Sequence, residues 1–181
     1  MKLTFWGVRG SIPTPGPNTV RYGGNTTCLE IRTPSDELII LDGGSGIREL
    51  GMKLLGQLPI KANVFISHTH WDHIQGLPFF VPFFIPGQEI SIHGTFDPVY
   101  QKDLQSILSA QMEYCYFPVR SNELKANITY NDLREQQGVE LESAKVCGIL
   151  MNHPVMTFGY RIDCGEKSIF FTGDHENPTN I

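Results

Sequence analysis

The feature that most constrains this chain is a run of metal-binding residue types that follows an apolar strand. Residues 62–67 (ANVFIS) predict a buried strand, and this strand leads directly into the segment HTHWDH. Alternate residues of an extended chain point the same way, so His68 and His70 can bind one metal ion together. Asp72, two residues after His70, would point in the same direction, whereas His73 can join this group only if the chain turns. This second pair can reach another ion beside the first, and we therefore predict a two-metal site at this strand end.

Two further residues stand where a site built from strand ends needs them. His153 follows a predicted strand at residues 145–151, and Pro154 ends that strand. Asp174 follows a predicted strand at residues 168–172, within the segment FFTGDHE. A single His or Asp at a strand end is commonly a cap or a surface residue. Here each is placed to meet the HTHWDH loop, and we predict that both are metal ligands.

The order of predicted elements indicates one α+β domain, residues 1–181, with two sheets. Besides the strand before HTHWDH, the pattern predicts strands at residues 2–8, 27–33, 37–41, 89–93, 126–130, 139–142, 145–151, 157–162 and 168–172. Helices are predicted at residues 47–55 and 99–110. We expect a two-sheet sandwich with helices outside and the metal site at one edge.

The strands after residue 110 have no predicted helix to cover the outer face of their sheet. They carry six apolar residues that would be unfavourable in water: Val146, Ile149, Phe158, Tyr160, Ile169 and Phe171. Burying apolar surface stabilises a fold by roughly 25 cal/mol per Å², so leaving this sheet face exposed to water would lower the stability. We therefore expect that this chain is a truncated version of a longer protein, with further elements after residue 181.

Composition excludes several classes of protein. The formal charge is −5 and no cluster of Lys or Arg is present, which disfavours a nucleic-acid partner. No apolar run approaches the ~20 residues that span a bilayer, and the N-terminus is not that of a signal peptide. We expect no membrane association and a cytoplasmic location. The four cysteines lack metal-binding spacing and are too few for a disulfide scaffold.

A turn-rich stretch near the N-terminus offers groups that can bind phosphate. Residues 9–25 contain two arginines among several glycines, and the predicted substrate-binding residues are Arg9, Arg21 and Asn25. The alternative is that the glycines only permit turns and the arginines are solvated. A second segment, LPFFVPFFIP, could stack a base or form a contact in a homodimer, although core packing is the favoured interpretation.

These motifs together resemble the metallo-β-lactamase-fold hydrolases. The segment HTHWDHIQGLPFF, the segment LDGGSG, a distant His and a TGD at a strand end carry the resemblance over nearly the whole chain. The segment GVRGSIPTPGPNTVRYGGNT is similar to the phosphodiesterase-type branch, which includes bacterial cyclic-nucleotide and phosphoribosyl cyclic phosphodiesterases. The chain also resembles the tRNA 3′-processing endonucleases. The resemblance implies an αβ/βα four-layer sandwich whose C-terminal part is missing from this chain.

The resemblance also implies a role for each site residue. The ligands of the first ion would be His68, His70 and His153. The second ion would be bound by Asp72 and His73, and Asp174 would bridge the two ions. Asp42, in LDGGSG, would support the His-rich loop through hydrogen bonds. The family's final metal-ligand histidine lies on a strand after the TGD segment, and this sequence stops at residue 181.

The site predicts a metal-dependent hydrolase. Three imidazoles favour Zn²⁺, and the second position, richer in carboxylate, would also accept Mn²⁺ or Fe. Two such ions can hold a bridging hydroxide and offset charge on a phosphorane-like transition state. With the resemblance, this predicts cleavage of a small, cyclic-nucleotide-like phosphodiester with Asp72 and His73 as catalytic residues. Two alternatives stay open, a tRNA 3′-processing endoribonuclease and a metal-binding scaffold without turnover.

Overall fold

Alternation of side chains along the central strands determines the layers of this fold. In the computed structural model, which describes residues 1–177, Leu38 and Ile40 face a helical layer. Ile39 and Leu41 point the opposite way and pack against a second sheet. Strands that are apolar on both faces are stable only when both faces are covered. The centre of the first sheet therefore lies between helices and the second sheet.

The first sheet has six strands in sequence order. They are β1 (Lys2–Gly7), β2 (Cys28–Arg32), β3 (Leu38–Leu41), β4 (Lys61–Phe65), β5 (Glu89–Thr95) and β6 (Asn127–Leu133). The first three strands pair antiparallel, and β3 to β6 pair parallel. The carboxyl ends of β3 and β4 therefore reach the same edge of the sheet.

The second sheet has four antiparallel strands in the order β10-β9-β8-β7. They are β7 (Gly138–Glu140), β8 (Lys145–Leu150), β9 (Phe158–Cys164) and β10 (Lys167–Phe171). The inner face of this sheet joins a buried core with Phe65 of the first sheet. Tyr160, fully buried in that core, donates its hydroxyl to the Ile66 carbonyl at 2.7 Å. This bond ties the two sheets together next to the HTHWDH loop.

Helices cover the other face of the first sheet. Within residues 1–177 the α-helices are α1 (Gly46–Leu54), α2 (Trp71–Ile74) and α3 (Leu104–Ala110). In α1 the apolar residues Ile47, Leu50 and Leu54 recur at helical spacing and are fully buried in the core. Among residues 1–177, no helix is long and apolar enough to cross a membrane.

The prediction of a helix over residues 99–110 is wrong for its first five residues. The carboxylate of Asp97 accepts hydrogen bonds from the Val99 and Tyr100 amides at 2.8 and 3.2 Å, which holds this segment in a turn. The helix begins only after Asp103, whose side chain accepts from the Ser106 amide at 2.7 Å and caps it. Side chains that bond to nearby amides here override the apolar pattern.

The predicted apolar outer face of the second sheet is largely wrong. Of the six residues on which it was based, five face the first sheet: Val146, Phe158, Tyr160, Ile169 and Phe171. Ile149 lies on the other face with Phe170, and both are exposed. The same face carries an ion pair between Arg161 and Asp163 at 2.9 Å. Strand alternation sends most apolar side chains inward, so this face is mixed in polarity.

The α+β fold is confirmed, and three of the four expected layers lie within the described part of the chain. In residues 1–177, no helix covers the outer face of the second sheet. Residues 178–181 lie outside the described part. The expectation of further elements after residue 181 stays a prediction.

A buried histidine on β5 makes the stability of this fold depend on pH. The ring of His93 stacks on Phe65 with 4.5 Å between centroids, and its Nδ1 has no hydrogen-bond partner. Burial lowers the pKa of His93 from 6.5 to about 4. Between these values the unfolded chain binds a proton that the folded chain does not.

We expect the free energy of unfolding to fall as the pH is lowered from 6.5 to about 4. One proton of difference changes this free energy by about 1.4 kcal/mol per pH unit. His93→Leu should remove this contribution to the slope, because the new side chain does not titrate. Urea denaturation of both proteins across this pH range measures the slopes, and equal slopes would contradict the assignment.

Candidate metal centre

Four strand ends meet at one edge of the sandwich, and each is followed by a residue that the sequence indicated. Asp42 follows β3, the HTHWDH loop follows β4, His153 comes after β8, and Asp174 comes after β10. The two sheets are joined at this edge by the Phe158 amide, which donates to the Ser67 carbonyl at 2.9 Å. The predicted convergence of strand ends is therefore present in the structure.

Three histidines form the first group of possible ligands. One ring nitrogen from each of His68, His70 and His153 lies within 4.8 Å of the others. The Nδ1 of His70 is 3.1 Å from the Nε2 of His68 and 3.2 Å from the Nε2 of His153. Ligands at 2.0–2.1 Å from a tetrahedral zinc ion are about 3.3 Å apart. The spacing of these nitrogens therefore fits a single ion.

A second group adjoins the first and shares one histidine with it. Ligand atoms of His68, His73 and Asp174 lie within 4.8 Å of one another. The Nε2 of His73 is 3.4 Å from Asp174 Oδ1 and 3.6 Å from Asp72 Oδ2. This nitrogen is buried without a hydrogen-bond partner, which is unfavourable unless another group satisfies it. A cation between His73 and the two carboxylates would do so.

All six predicted ligands are thus brought together, and Asp174, a member of the second group, also faces the histidine that the two groups share. Its Oδ1 faces His73, and its Oδ2 is 3.9 Å from the Nε2 of His68. The donor set, imidazole-rich at the first position and carboxylate-richer at the second, fits divalent ions such as Zn²⁺ or Mn²⁺. The role of these residues as ligands stays a prediction.

The electrostatics of the cluster keep two histidines of the first group, His68 and His70, uncharged. Burial, and then the neighbouring histidines, lower the pKa of His68 from 6.5 to about 2. Burial also lowers the pKa of His70. For His73, burial acts to lower the pKa, but the hydrogen bond to Asp42 and the charges of the nearby aspartates outweigh it and raise the pKa. Near neutral pH, His68 and His70 therefore have lone pairs available for a metal ion.

Asp42 lies directly beneath the HTHWDH loop, where it meets both Ser67 and His73. It is fully buried and has a φ of 61°, a left-handed conformation that is uncommon outside glycine. Its Oδ1 accepts from the Ser67 amide at 2.7 Å, and its Oδ2 accepts from the Nδ1 of His73 at 2.6 Å. This location matches the supporting role that the resemblance implied.

Two glycines after Asp42 let the HTHWDH loop lie directly on the turn that follows β3. The amide of Gly43 donates to the His73 carbonyl at 2.7 Å. A Cβ at Gly44 would lie only 2.3 Å from the carbonyl oxygen of Asp72, so any larger residue would push the loop away. Gly43 and Gly44 of LDGGSG thus allow the turn after β3 to make close backbone contact with the HTHWDH loop.

The loop at residues 9–25 is attached to the metal centre through one hydrogen bond. The Ser11 amide donates to Asp72 Oδ2 at 2.7 Å. The loop surrounds an open cleft of about 420 Å³, whose lining includes Arg9, Arg21 and Tyr22. The guanidinium of Arg21 lies 4.9 Å from the centroid of the Tyr22 ring. Two of the three predicted substrate-binding residues therefore share a cleft next to the predicted ligands.

Asn25, the third predicted substrate-binding residue, has a different setting. Its side-chain oxygen accepts from the Ser45 hydroxyl at 3.1 Å, and its carbonyl accepts from the amides of Val8 and Arg9. These bonds connect the base of the loop to the start of α1. The structure thus places Asn25 as an anchor of the loop, outside the lining of the arginine cleft. Its predicted contact with substrate has no further support.

Sequence reasoning missed three residues that shape the site: Ser11, Ser67 and Gly173. Ser67 is the only hydroxyl residue in the segment ANVFIS and immediately precedes the first ligand, which was an available signal. Gly173 has a φ of 58°, and a Cβ there would lie 2.9 Å from the Cβ of Ser67. The contact of Ser11 with Asp72 spans 61 positions, and no local pattern indicates it.

We expect Gly173→Ala to weaken metal binding, because the new methyl group must displace Ser67 or the neighbouring Asp174. Gly165→Ala is the matched control, since Gly165 has a φ of 59° with nothing within 4 Å of a Cβ. Both substitutions should cost about 1–2 kcal/mol of stability from backbone strain. Only Gly173→Ala should weaken Zn²⁺ binding about tenfold or more. Zinc titration of both variants measures this, and equal affinities would contradict it.

Comparisons with known proteins agree with this geometry. A family model described as "Beta-lactamase superfamily domain" matches residues 39–179, and the chain belongs to that family. A ribonuclease Z from Staphylococcus epidermidis is 26% identical over 167 residues, which are 90% of this chain and 49% of that protein. The chain thus spans about half the length of this curated relative.

Two solved structures share the fold. The short form of human tRNase Z superposes with a TM-score of 0.65 at 20% identity, over 96% of this chain and 69% of that one. A diphosphatase from the PhnP family superposes with a TM-score of 0.59 at 17% identity, over 88% of this chain and 61% of that one. Identities this low show the common fold alone.

Proposed function

We propose that this chain belongs to a metal-dependent hydrolase that cleaves a phosphodiester in a small, nucleotide-like substrate. The observation that carries the proposal is the pair of adjoining donor groups, with the neutral imidazoles of His68 and His70 at one and the aspartates at the other. Two divalent ions bound there would lower the pKa of a water molecule and offset negative charge on the phosphate in the transition state.

Residues of the chain would orient the reacting groups at this centre. The Ser11 amide holds Asp72 Oδ2, and His73 is held through its Nδ1 by Asp42. Asp72 and His73 are therefore fixed on the side of the centre that faces the loop at residues 9–25. A carboxylate fixed in this way can orient a water molecule or accept its proton. These contacts support the predicted catalytic role of Asp72 and His73.

The surroundings of the centre favour a small anionic substrate. The cleft of about 420 Å³ in the loop carries Arg9 and Arg21, which can pair with phosphate. A second cleft of about 300 Å³ borders His73 and Asp174, with apolar walls that include Phe5 and Phe171. Both volumes lie in the range of small-molecule sites. Cations and aromatic rings next to a two-metal centre suit a nucleotide-like phosphate.

A second candidate function is tRNA 3′ processing, which the similarity to ribonuclease Z favours. That enzyme class also breaks a phosphodiester, so the metal centre itself does not separate the two candidates. The net charge of −5 argues against RNA binding, because surfaces that bind RNA phosphates depend on clustered Lys and Arg. Cationic residues that line the cleft next to the centre are Arg9 and Arg21. These two arginines are sufficient to pair with the phosphate of a small anionic substrate.

We expect the complete protein, loaded with Zn²⁺ or Mn²⁺, to hydrolyse bis-p-nitrophenyl phosphate, and chelator to abolish the activity reversibly. The double variant His68→Ala with His70→Ala should lose activity, because it removes two of the three nitrogens of the first group. His175→Gln is the matched control, since His175 belongs to neither group. Release of p-nitrophenol measures the rate. Undiminished activity of the double variant would contradict the proposal.

The same preparation separates the two substrate classes. A cyclic nucleotide and a tRNA precursor with a 3′ extension can be offered at equal concentrations under identical metal loading. We expect turnover of the cyclic nucleotide and none of the tRNA precursor. Cleavage of the precursor at its 3′ end alone would favour the second candidate.

A further inference from the structure

Ser67 lies at a junction that both groups of histidines share. Its side chain is fully buried between the end of β4 and His68. Its hydroxyl oxygen is 2.9 Å from Asp42 Oδ2, 3.1 Å from the Nδ1 of His68 and 3.3 Å from the Nδ1 of His73. A single hydroxyl therefore contacts one histidine from each predicted metal position.

The hydrogens in this network can be assigned from chemistry alone. A carboxylate only accepts, so the hydroxyl of Ser67 donates its one hydrogen to Asp42. The oxygen of Ser67 can then only accept from His68, which places the ring hydrogen of His68 on Nδ1. The lone pair of His68 is therefore on Nε2, the atom that lies 3.1 Å from His70 and faces the first group.

The carboxylate of Asp42 also determines the tautomer of the second histidine, His73. The Nδ1 of His73 is 2.6 Å from Asp42 Oδ2 and donates to it. When His73 is neutral, its lone pair is on Nε2, the atom that faces Asp174 at 3.4 Å. Both histidines thus point a lone pair at the predicted ions because of one buried pair, Asp42 and Ser67.

We propose that Ser67 is a positioning residue that couples the two metal positions, by fixing the tautomer of His68 directly and that of His73 through Asp42. This inference rests on the metal centre of the proposed function but not on the reaction. Ser67 also lies close to Gly173, two residues after β10, since a Cβ at Gly173 would lie 2.9 Å from the Ser67 Cβ. A chain that binds two ions and hydrolyses nothing would refute the proposed function and leave the role of Ser67 intact.

Zinc titration of the metal-free chain against a competing chelator tests the coupling. Ser67→Ala removes the hydroxyl with no added bulk, and it should weaken binding at both positions about 10- to 100-fold. The matched control is Thr33→Val, because Thr33 is a buried hydroxyl with partners of its own at the opposite end of the sheet, Ser35, Glu37 and Ser143. It should lower the melting temperature yet leave zinc affinity within about twofold. Unchanged affinity in Ser67→Ala, or a loss confined to one position, would overturn the proposal.

A second measurement needs no variant and stands even if Ser67→Ala fails to fold. Long-range ¹H–¹⁵N NMR of the metal-free wild-type chain, at alkaline pH where His73 is neutral, reports which ring nitrogen carries hydrogen. We expect the Nδ1–H form for both His68 and His73. The Nε2–H form at His68 would overturn the proposal, because the lone pair would then face Ser67 and not the metal position.

Discussion

The carboxylate of Asp42 is removed from water entirely, and hydrogen bonds from Ser67 and His73 replace its hydration. Burying a charge without such partners costs several kcal/mol. The backbone from Ser67 to His73, which supplies these partners, is therefore held in position over Asp42. The left-handed φ of 61° at Asp42 aims the side chain under the loop. Strained residues of this kind persist only where the surroundings determine them, and here the surroundings are Ser67 and the predicted ligand His73.

The rest of the site depends on how the two sheets meet above this carboxylate. The first sheet supplies Asp42 and the HTHWDH loop, and the second sheet supplies His153 and Asp174. Hydrogen bonds from Tyr160 and Phe158 to the backbone after β4 hold the sheets in register at this edge. The predicted metal centre thus lies at the interface between two sheets, and neither sheet contains all six of the predicted donors.

The sequence was informative where ligands are local to a strand. The spacing of His68 and His70 follows from the two-residue period of extended chain. The structure places the Nδ1 of His70 3.1 Å from the Nε2 of His68 and 3.2 Å from the Nε2 of His153. The layers and most strand positions also follow from apolar alternation. Residues 99–103 were mistaken for helix because the side chains of Asp97 and Asp103 bond to nearby amides, which a hydrophobic pattern does not report.

Contacts between distant segments were beyond sequence reasoning. The bond from Ser11 to Asp72 and the packing of Gly173 on Ser67 depend on three-dimensional proximity of loops. The expectation of an apolar outer face on the second sheet failed for a related reason. The side to which a strand residue points depends on the register of that strand in the sheet, and the pattern of a single strand does not determine this register. Local motifs thus indicated the candidate ligands and Asp42, whereas the roles of Ser11, Ser67 and Gly173 emerged only from the fold.

The central claim is that six side chains from both sheets form one two-metal centre. Crystals of the zinc-loaded chain, with anomalous scattering recorded on both sides of the zinc edge, test it most directly. The account predicts two adjacent peaks, one contacted by His68, His70 and His153, the other by Asp72 and His73, with Asp174 contacting both. Zinc found elsewhere on the surface, with both of these positions empty, would contradict it.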